Sequence, residues 1–123
     1  MRIVQKPWGY EEIWAETDAY VGKTINIKLG HRLSLQYHES KEETVHVIDG
    51  TLFVWEGKDD ECEPIKLKKG QSYHVKPGQV HRFGSVNERG HSSVIDQEIG
   101  CSIVEVSTNF LDDVVRLEDD YNR

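Results

Sequence analysis

The chain has 123 residues and a formal charge of −7, with 37% hydrophobic and 30% charged residues. That is room for one compact domain with an ordinary core, and it excludes collagen, coiled coil and wholesale disorder. The balance of 22 acids against 15 bases repels polyanions, so nucleic acid is not an expected partner.

The longest apolar run, Leu52-Phe53-Val54-Trp55, falls far short of the roughly 20 residues of a membrane helix. The opening Met1-Arg2-Ile3-Val4-Gln5-Lys6-Pro7 lacks the apolar stretch of a secretion signal. Cys62 and Cys101 form neither a ligand pair nor a disulfide framework. The expectation is one soluble cytoplasmic domain over residues 1–123, with no membrane partner.

In chain order, apolar residues recur at period two. Thr24-Ile25-Asn26-Ile27-Lys28-Leu29 alternates, with Ile25, Ile27 and Leu29 on one face. Val45 and Val47, then Leu52-Phe53-Val54, flank Asp49-Gly50, which reads as a hairpin turn. Residues 65–67, 72–75, 93–95 and 102–106 predict further short strands, punctuated by Gly70, Pro77-Gly78, Asn87 and Gly90. The basic Lys66, Lys68 and Lys69 face the acidic Asp59-Asp60-Glu61-Cys62-Glu63 as a solvated hairpin surface. Near the end, Phe110, Leu111, Val114, Val115 and Leu117 follow a helical spacing, with Asn109 as N-cap, which predicts a short C-terminal helix. The sum is an all-β barrel or sandwich closed by a helical segment.

Gln36, His38, Glu43 and His81 stand out chemically. Residues two apart on a strand share a face, so Gln36 and His38 point together. Glu43 follows across a polar connection, and Pro77-Gly78 can swing His81 back over the pair. Two imidazoles, a carboxylate and an amide oxygen suit a divalent cation, with zinc the first expectation and Mn, Fe, Co or Ni also accommodated.

The frame around these residues is more specific. The segment from Gly30 through Gln36-Tyr37-His38 and Glu43 to Gly50 resembles the first cupin motif, and Gly70 to Pro77-Gly78-Gln79-Val80-His81 resembles the second. The resemblance implies a cupin double-stranded β-helix, a jelly-roll barrel with a metal in its mouth. Three further segments, Lys6-Pro7-Trp8-Gly9-Tyr10, Gly30-His31-Arg32-Leu33-Ser34-Leu35-Gln36-Tyr37-His38 and Asp112-Asp113-Val114-Val115-Arg116-Leu117-Glu118-Asp119-Asp120-Tyr121, look like type II mannose-6-phosphate isomerases. There the isomerase cupin usually follows a mannose-1-phosphate guanylyltransferase portion, which these residues do not resemble, so isomerase chemistry is the expected activity. Departures are a first motif that continues His38-Glu39-Ser40 in place of a histidine run, and Lys76 ahead of Pro77.

The resemblance implies metal ligands at Gln36, His38, Glu43 and His81, and a sugar phosphate as small-molecule substrate. It aligns family arginines with Arg32 and Arg116 and a family lysine with Lys23. Arg32 shares the parity of Gln36 and His38, so it could enter the same cavity and grip phosphate with Lys23 or Arg116. For the proton carrier, Glu105 and Tyr73 lie on core-like strands, and Glu105 is taken as the candidate; Lys23 and Arg116 join it as catalytic candidates. The rival expectations are another metal-dependent cupin enzyme, on a different sugar or as an oxygenase, and a sugar-binding module without catalysis. His46 and His74 are expected on an outer face. Leu33, Leu35 and Tyr37 are costly to expose together, which predicts a homodimer that covers them.

Overall fold

The computed structural model describes residues 1–57, 63–87, 89–95, 97–110 and 112–122. Its strands are β1 (Arg2–Lys6), β2 (Gly9–Glu16), β3 (Tyr20–Lys28), β4 (His31–Arg32), β5 (Leu35–Tyr37), β6 (Glu43–Glu56), β7 (Ile65–Lys68), β8 (Ser72–Val75), β9 (His81–Ser85), β10 (Ile99–Thr108) and β11 (Val115–Glu118). They form one curled sheet in the order β1-β2-β3-β10-β6-β9-β5-β11, with β4 on β9 and both β7 and β8 on β6; all the pairings are antiparallel. The strands of the period-two reading recur at residues 24–28, 65–67, 72–75 and 102–106. No helix among the described residues is long and apolar enough to cross a membrane.

The inward face follows from alternation. Ile25 and Ile27 of β3, Val45 and Val47 of β6 and Ile103 of β10 pack with Trp8, Leu52, Val54 and Phe83 in one buried cluster. A second cluster of Phe53, Trp55 and Val86 lies apart from it. Arg32 covers Trp55, its guanidinium carbon 5.3 Å from the ring centroid, and Lys66 stands over Phe53.

Asp49-Gly50 is not a hairpin turn, because β6 runs straight through it. Ser102 of β10 pairs with Asp49 while Ile103 pairs with Val47, so Ile48 is the extra residue of a β-bulge. The added residue shifts the inward parity from Glu43, Val45 and Val47 to Leu52 and Val54. Before the bulge β6 pairs with β8 and β10, and after it mostly with β7 and β9, so one strand turns the barrel corner. Gly50 has φ +73°, and a Cβ there would run into the Gly100 carbonyl.

Three other expectations are corrected. No helix forms among the described C-terminal residues: 115–118 is strand β11 on β5, and the Asn109 side chain donates to the Thr17 carbonyl instead of capping. Phe110 and Leu117 are exposed and Val114 and Val115 only half-buried, so among the described residues the helical spacing has no buried face, and a helix of two turns is marginal without one; Leu111 lies outside the described residues. Residues 93–95 are not a strand, and Val94 and Ile95 are exposed. Leu33 and Leu35 are buried within the chain itself, so they are not an exposed face awaiting a second copy. Asp59, Asp60, Glu61 and Cys62 lie outside the described residues.

Candidate functional site

Three strands and one loop bring the chemistry together. His38 follows β5, Glu43 opens β6, and His81 opens β9 as the register partner of Gln36. All three ionisable residues are buried, and one potential ligand atom from each lies within 4.8 Å of the others.

Hydrogen bonds orient the two rings. Nδ1 of His38 meets the Asp113 backbone carbonyl, and Nδ1 of His81 meets the Gln79 carbonyl at 2.9 Å. A carbonyl only accepts, so each Nδ1 carries the proton and the neutral ring keeps a bare lone pair on Nε2. Both Nε2 atoms lie 3.3 Å from the same oxygen, Oε1 of Glu43, and His81 Nε2 is buried without a hydrogen-bond partner. Three lone pairs converging in a dry site are unfavourable unless a cation sits among them, so this donor set fits a divalent metal. Gln36 borders the same cavity, with its Oε1 accepting from Ser34 Oγ at 3.2 Å.

Behind the histidines runs a chain of alternating charge. Lys23 Nζ lies 3.3 Å from Glu11 and 3.7 Å from Glu105, and Lys41 Nζ lies 3.1 Å from Glu105 and 3.6 Å from Glu43. All five are buried. Burial works against the charge on Glu43, yet the Glu105 hydrogen bond and the Lys41 ammonium hold its carboxyl well below the ordinary value. Glu105 moves the other way. Burial, then the adjacent Glu43 charge, pushes its carboxyl up to about 7 despite Lys23 and Lys41. Burial likewise opposes the charge on Lys41, but Glu105 and then Glu43 hold its pKa above the ordinary value. The pair therefore places the charge on Glu43 and leaves Glu105 able to hold a proton.

These groups line one cavity of about 530 Å³, together with Lys6, Trp8 and Arg116. Of the expected site residues, His38, Glu43 and His81 converge, and Gln36, Lys23, Glu105 and Arg116 border the same space. Arg32 does not. Strand pairing breaks between Arg32 and Leu35, so the parity that linked Arg32 to Gln36 is lost. Its aliphatic stem instead crosses Gly84, which has no side chain to block it, and its guanidinium stacks on Trp55 and forms a two-bond fork with Asp120. Tyr73 is also elsewhere, donating to Glu56 and packing edge-on to Phe83. His46 and His74 are exposed on the outer face, hydrogen-bonded to Ser72 and Glu42.

Lys41, Glu11 and Asp113 carry roles that the sequence reading missed. A signal existed for part of this group: Lys23 is in phase with Ile25 and Ile27, and Glu105 with Ile103. A charge in phase with an inward apolar run is directed into the barrel. Lys41 sits in an irregular loop and had no such signal.

Comparison with known proteins bears on the family and the fold. The family model described as mannose-6-phosphate isomerase C-terminal matches residues 1–119. The xanthan biosynthesis protein XanB of Xanthomonas campestris pv. campestris is 31% identical over 122 residues, which cover 99% of this chain and 24% of that protein. The alginate biosynthesis protein AlgA of Pseudomonas aeruginosa is 33% identical over 123 residues, covering 98% of this chain and 23% of that protein. The chain thus spans about a quarter of the length of these curated relatives. A solved cupin-like protein from Thermotoga maritima superposes with a TM-score of 0.67 at 16% identity, over 89% of this chain and 76% of that one. An all-β curled sheet with cupin neighbours, a family match over nearly all of its length and relatives above 30% identity establish that the chain belongs to the mannose-6-phosphate isomerase C-terminal family.

Proposed function

We propose that this domain is a metal-dependent aldose–ketose isomerase that interconverts mannose 6-phosphate and fructose 6-phosphate. The observation that carries the reading is the convergence of the bare Nε2 atoms of His38 and His81 on Glu43, beside a buried carboxyl that can hold a proton at neutral pH. His38, Glu43 and His81, with the Gln36 amide, would hold the cation, which would act as a Lewis acid toward the sugar oxygens.

The chain's own residues supply the rest. In the forward direction a base takes the proton from C2 and returns it to C1, while a hydroxyl proton passes from O2 to O1. Glu105 is the group we assign to the carbon proton, because it is buried in the cavity wall and its carboxyl titrates near neutrality. Lys41 and Lys23 both approach its Oε2, so each ammonium stabilises the carboxylate whenever the proton is on the sugar. Trp8, Ile25 and Phe83 belong to the apolar part of the cavity wall, which limits water at the reacting carbons.

The test is an NMR time course in deuterated water with metal-reconstituted protein and mannose 6-phosphate. Conversion that a chelator abolishes, with deuterium entering at C1 or C2, supports the reading. Absence of conversion by protein with confirmed bound metal rejects it.

A further inference from the structure

The wall that carries Lys23, Glu43 and Glu105 on its inner side has an outer face without charge at its centre. Alternate residues of β3, β10 and β6 point away from the core there. Register sets them in two rows. Thr24, Val104 and His46 stand opposite one another in the first, and Gly22, Val106 and Thr44 in the second. β8 extends both, with Ser72 opposite His46 and His74 opposite Thr44. On the other flank the pairing of β2 with β3 slips between Ile13 and Ala15, which makes Trp14 an extra residue. Its indole lies over Gly22, where a Cβ would run into the ring, and its Nε1 donates to Thr24 Oγ1 at 3.1 Å.

This face is both open and apolar. Trp14 is 49% exposed, Val106 51%, and Tyr20, at the same parity as Gly22, 55%. None of the six residues in the two rows is Asp, Glu, Lys or Arg, in a chain where such residues make up 30%. Scattered exposed hydrophobics need no explanation, but these are contiguous by register. Loss of charge around an exposed aromatic is the composition of an interface centre. Gly22 and Thr24 already fix the indole, so covering it costs little side-chain freedom.

We propose that this face docks against the same face of a second copy, about a two-fold axis along β10. Each copy carries −7, so two copies repel wherever their charged surfaces meet, and the uncharged rows allow the closest approach. β10 runs near the middle of the face, with the indole on the β2 flank and the imidazoles of His46 and His74 on the β6 and β8 flank. A two-fold along β10 lays each indole over the imidazole flank of the other copy, so the face is complementary to itself. The face spans the four strand spacings from β2 to β8 and the seven residues from Tyr20 to Asn26. At ordinary sheet dimensions that is on the order of 600 Å² per copy. Two such faces bury roughly 1,200 Å², the size at which specific interfaces begin. The homodimer expected from Leu33, Leu35 and Tyr37 is thereby moved to residues that are open to solvent.

The test is sedimentation of the full chain from about 1 to 200 μM, where a monomer–dimer equilibrium is expected. Salt should strengthen association, because screening relieves repulsion between two acidic copies and no ion pair is lost. Val106→Glu places two carboxylates near the axis and should weaken association about a hundredfold. Leu117→Glu, exposed on β11 away from this face, should leave it unchanged. Each variant is first checked for an unchanged melting temperature; if Val106→Glu fails that check, His46→Glu carries the same test on the exposed flank. Trp8 and Trp55 are buried, so acrylamide quenching reads Trp14, and it should fall as the wild type associates. A wild type that stays monomeric at the highest concentration overturns the proposal. So does a dimer that the folded face variants leave intact, one that salt dissociates, or one in which Trp14 stays as open to quencher as in the monomer.

Discussion

Asp113 holds His38 from two directions. Its backbone carbonyl accepts the Nδ1 proton of the imidazole, and its carboxylate accepts the backbone N–H groups of Glu39, Ser40 and Lys41, the residues that follow His38. The N–H of Ser40, then that of Glu39, holds the Asp113 carboxyl below its ordinary pKa. A segment just before β11 thereby shapes the loop that carries a candidate ligand and Lys41. The expected outcome of Asp113→Ala is a loss of metal affinity of about 10–100-fold, the range for a group that orients a ligand. Titration of the apo-protein with zinc reads it directly. Affinity within twofold of wild type would show that the loop keeps its shape without the carboxylate.

His38→Ala and His81→Ala each remove a converging Nε2, and both variants should lose bound metal and turnover together. Added zinc should raise the melting temperature of the wild type and leave that of each variant unchanged, since only a folded site gains from binding. His81 is fully buried and packs against Phe83, so His81→Ala also lowers intrinsic stability. Turnover that persists in metal-free His81→Ala protein would sink the metal reading.

Glu105→Gln keeps the shape of the side chain and removes its ability to take a proton. Conversion is expected to fall by about a hundredfold or more, with metal content retained. Exchange of the C2 proton with deuterated solvent should fall in parallel. Exchange at the wild-type rate would move the proton carrier to another residue.

Asp120 ties the C-terminal segment to the barrel. It accepts a fork from Arg32, at 3.0 and 2.9 Å, and a third bond from the buried Arg82 at 2.8 Å. Partial burial alone would raise its pKa, but the Arg32 hydrogen bond and the Arg82 charge outweigh that and hold it below the ordinary 3.8. A depressed carboxyl contributes stability that is present above its unfolded pKa and lost as pH falls through the folded one. The contribution should therefore be complete at neutral pH and decline below about pH 4. Asp120→Asn is expected to cost about 1–3 kcal/mol at pH 7, since it weakens charge-assisted bonds that are partly open to solvent. Denaturant melts of both proteins from pH 7 to pH 3 check this, and the gap between them should narrow toward the acid end.

Much of the barrel was legible from period two alone. Alternation marks Ile25 and Ile27, Val45 and Val47, and Ile103, because one face of each strand must leave water. The histidines and Glu43 were legible for a related reason. His38 follows a strand end and His81 opens a strand just after Pro77-Gly78, and both lie in segments that resemble family motifs.

Long-range pairing decided the rest. Asp49-Gly50 carries the chemistry of a turn, and only the register of β10 makes it a bulge that sends β6 around the corner. The residues after Asn109 have helical spacing, but β5 leaves a strand edge open, and pairing with it satisfies backbone groups that a helix without a buried face could not offset. Arg32 had the right parity for the cavity until a break in pairing turned it outward to Trp55 and Asp120. Local alternation reports which side chains avoid water. Which strands meet, where a register slips, and so which charges share a cavity depend on contacts between residues far apart in the chain.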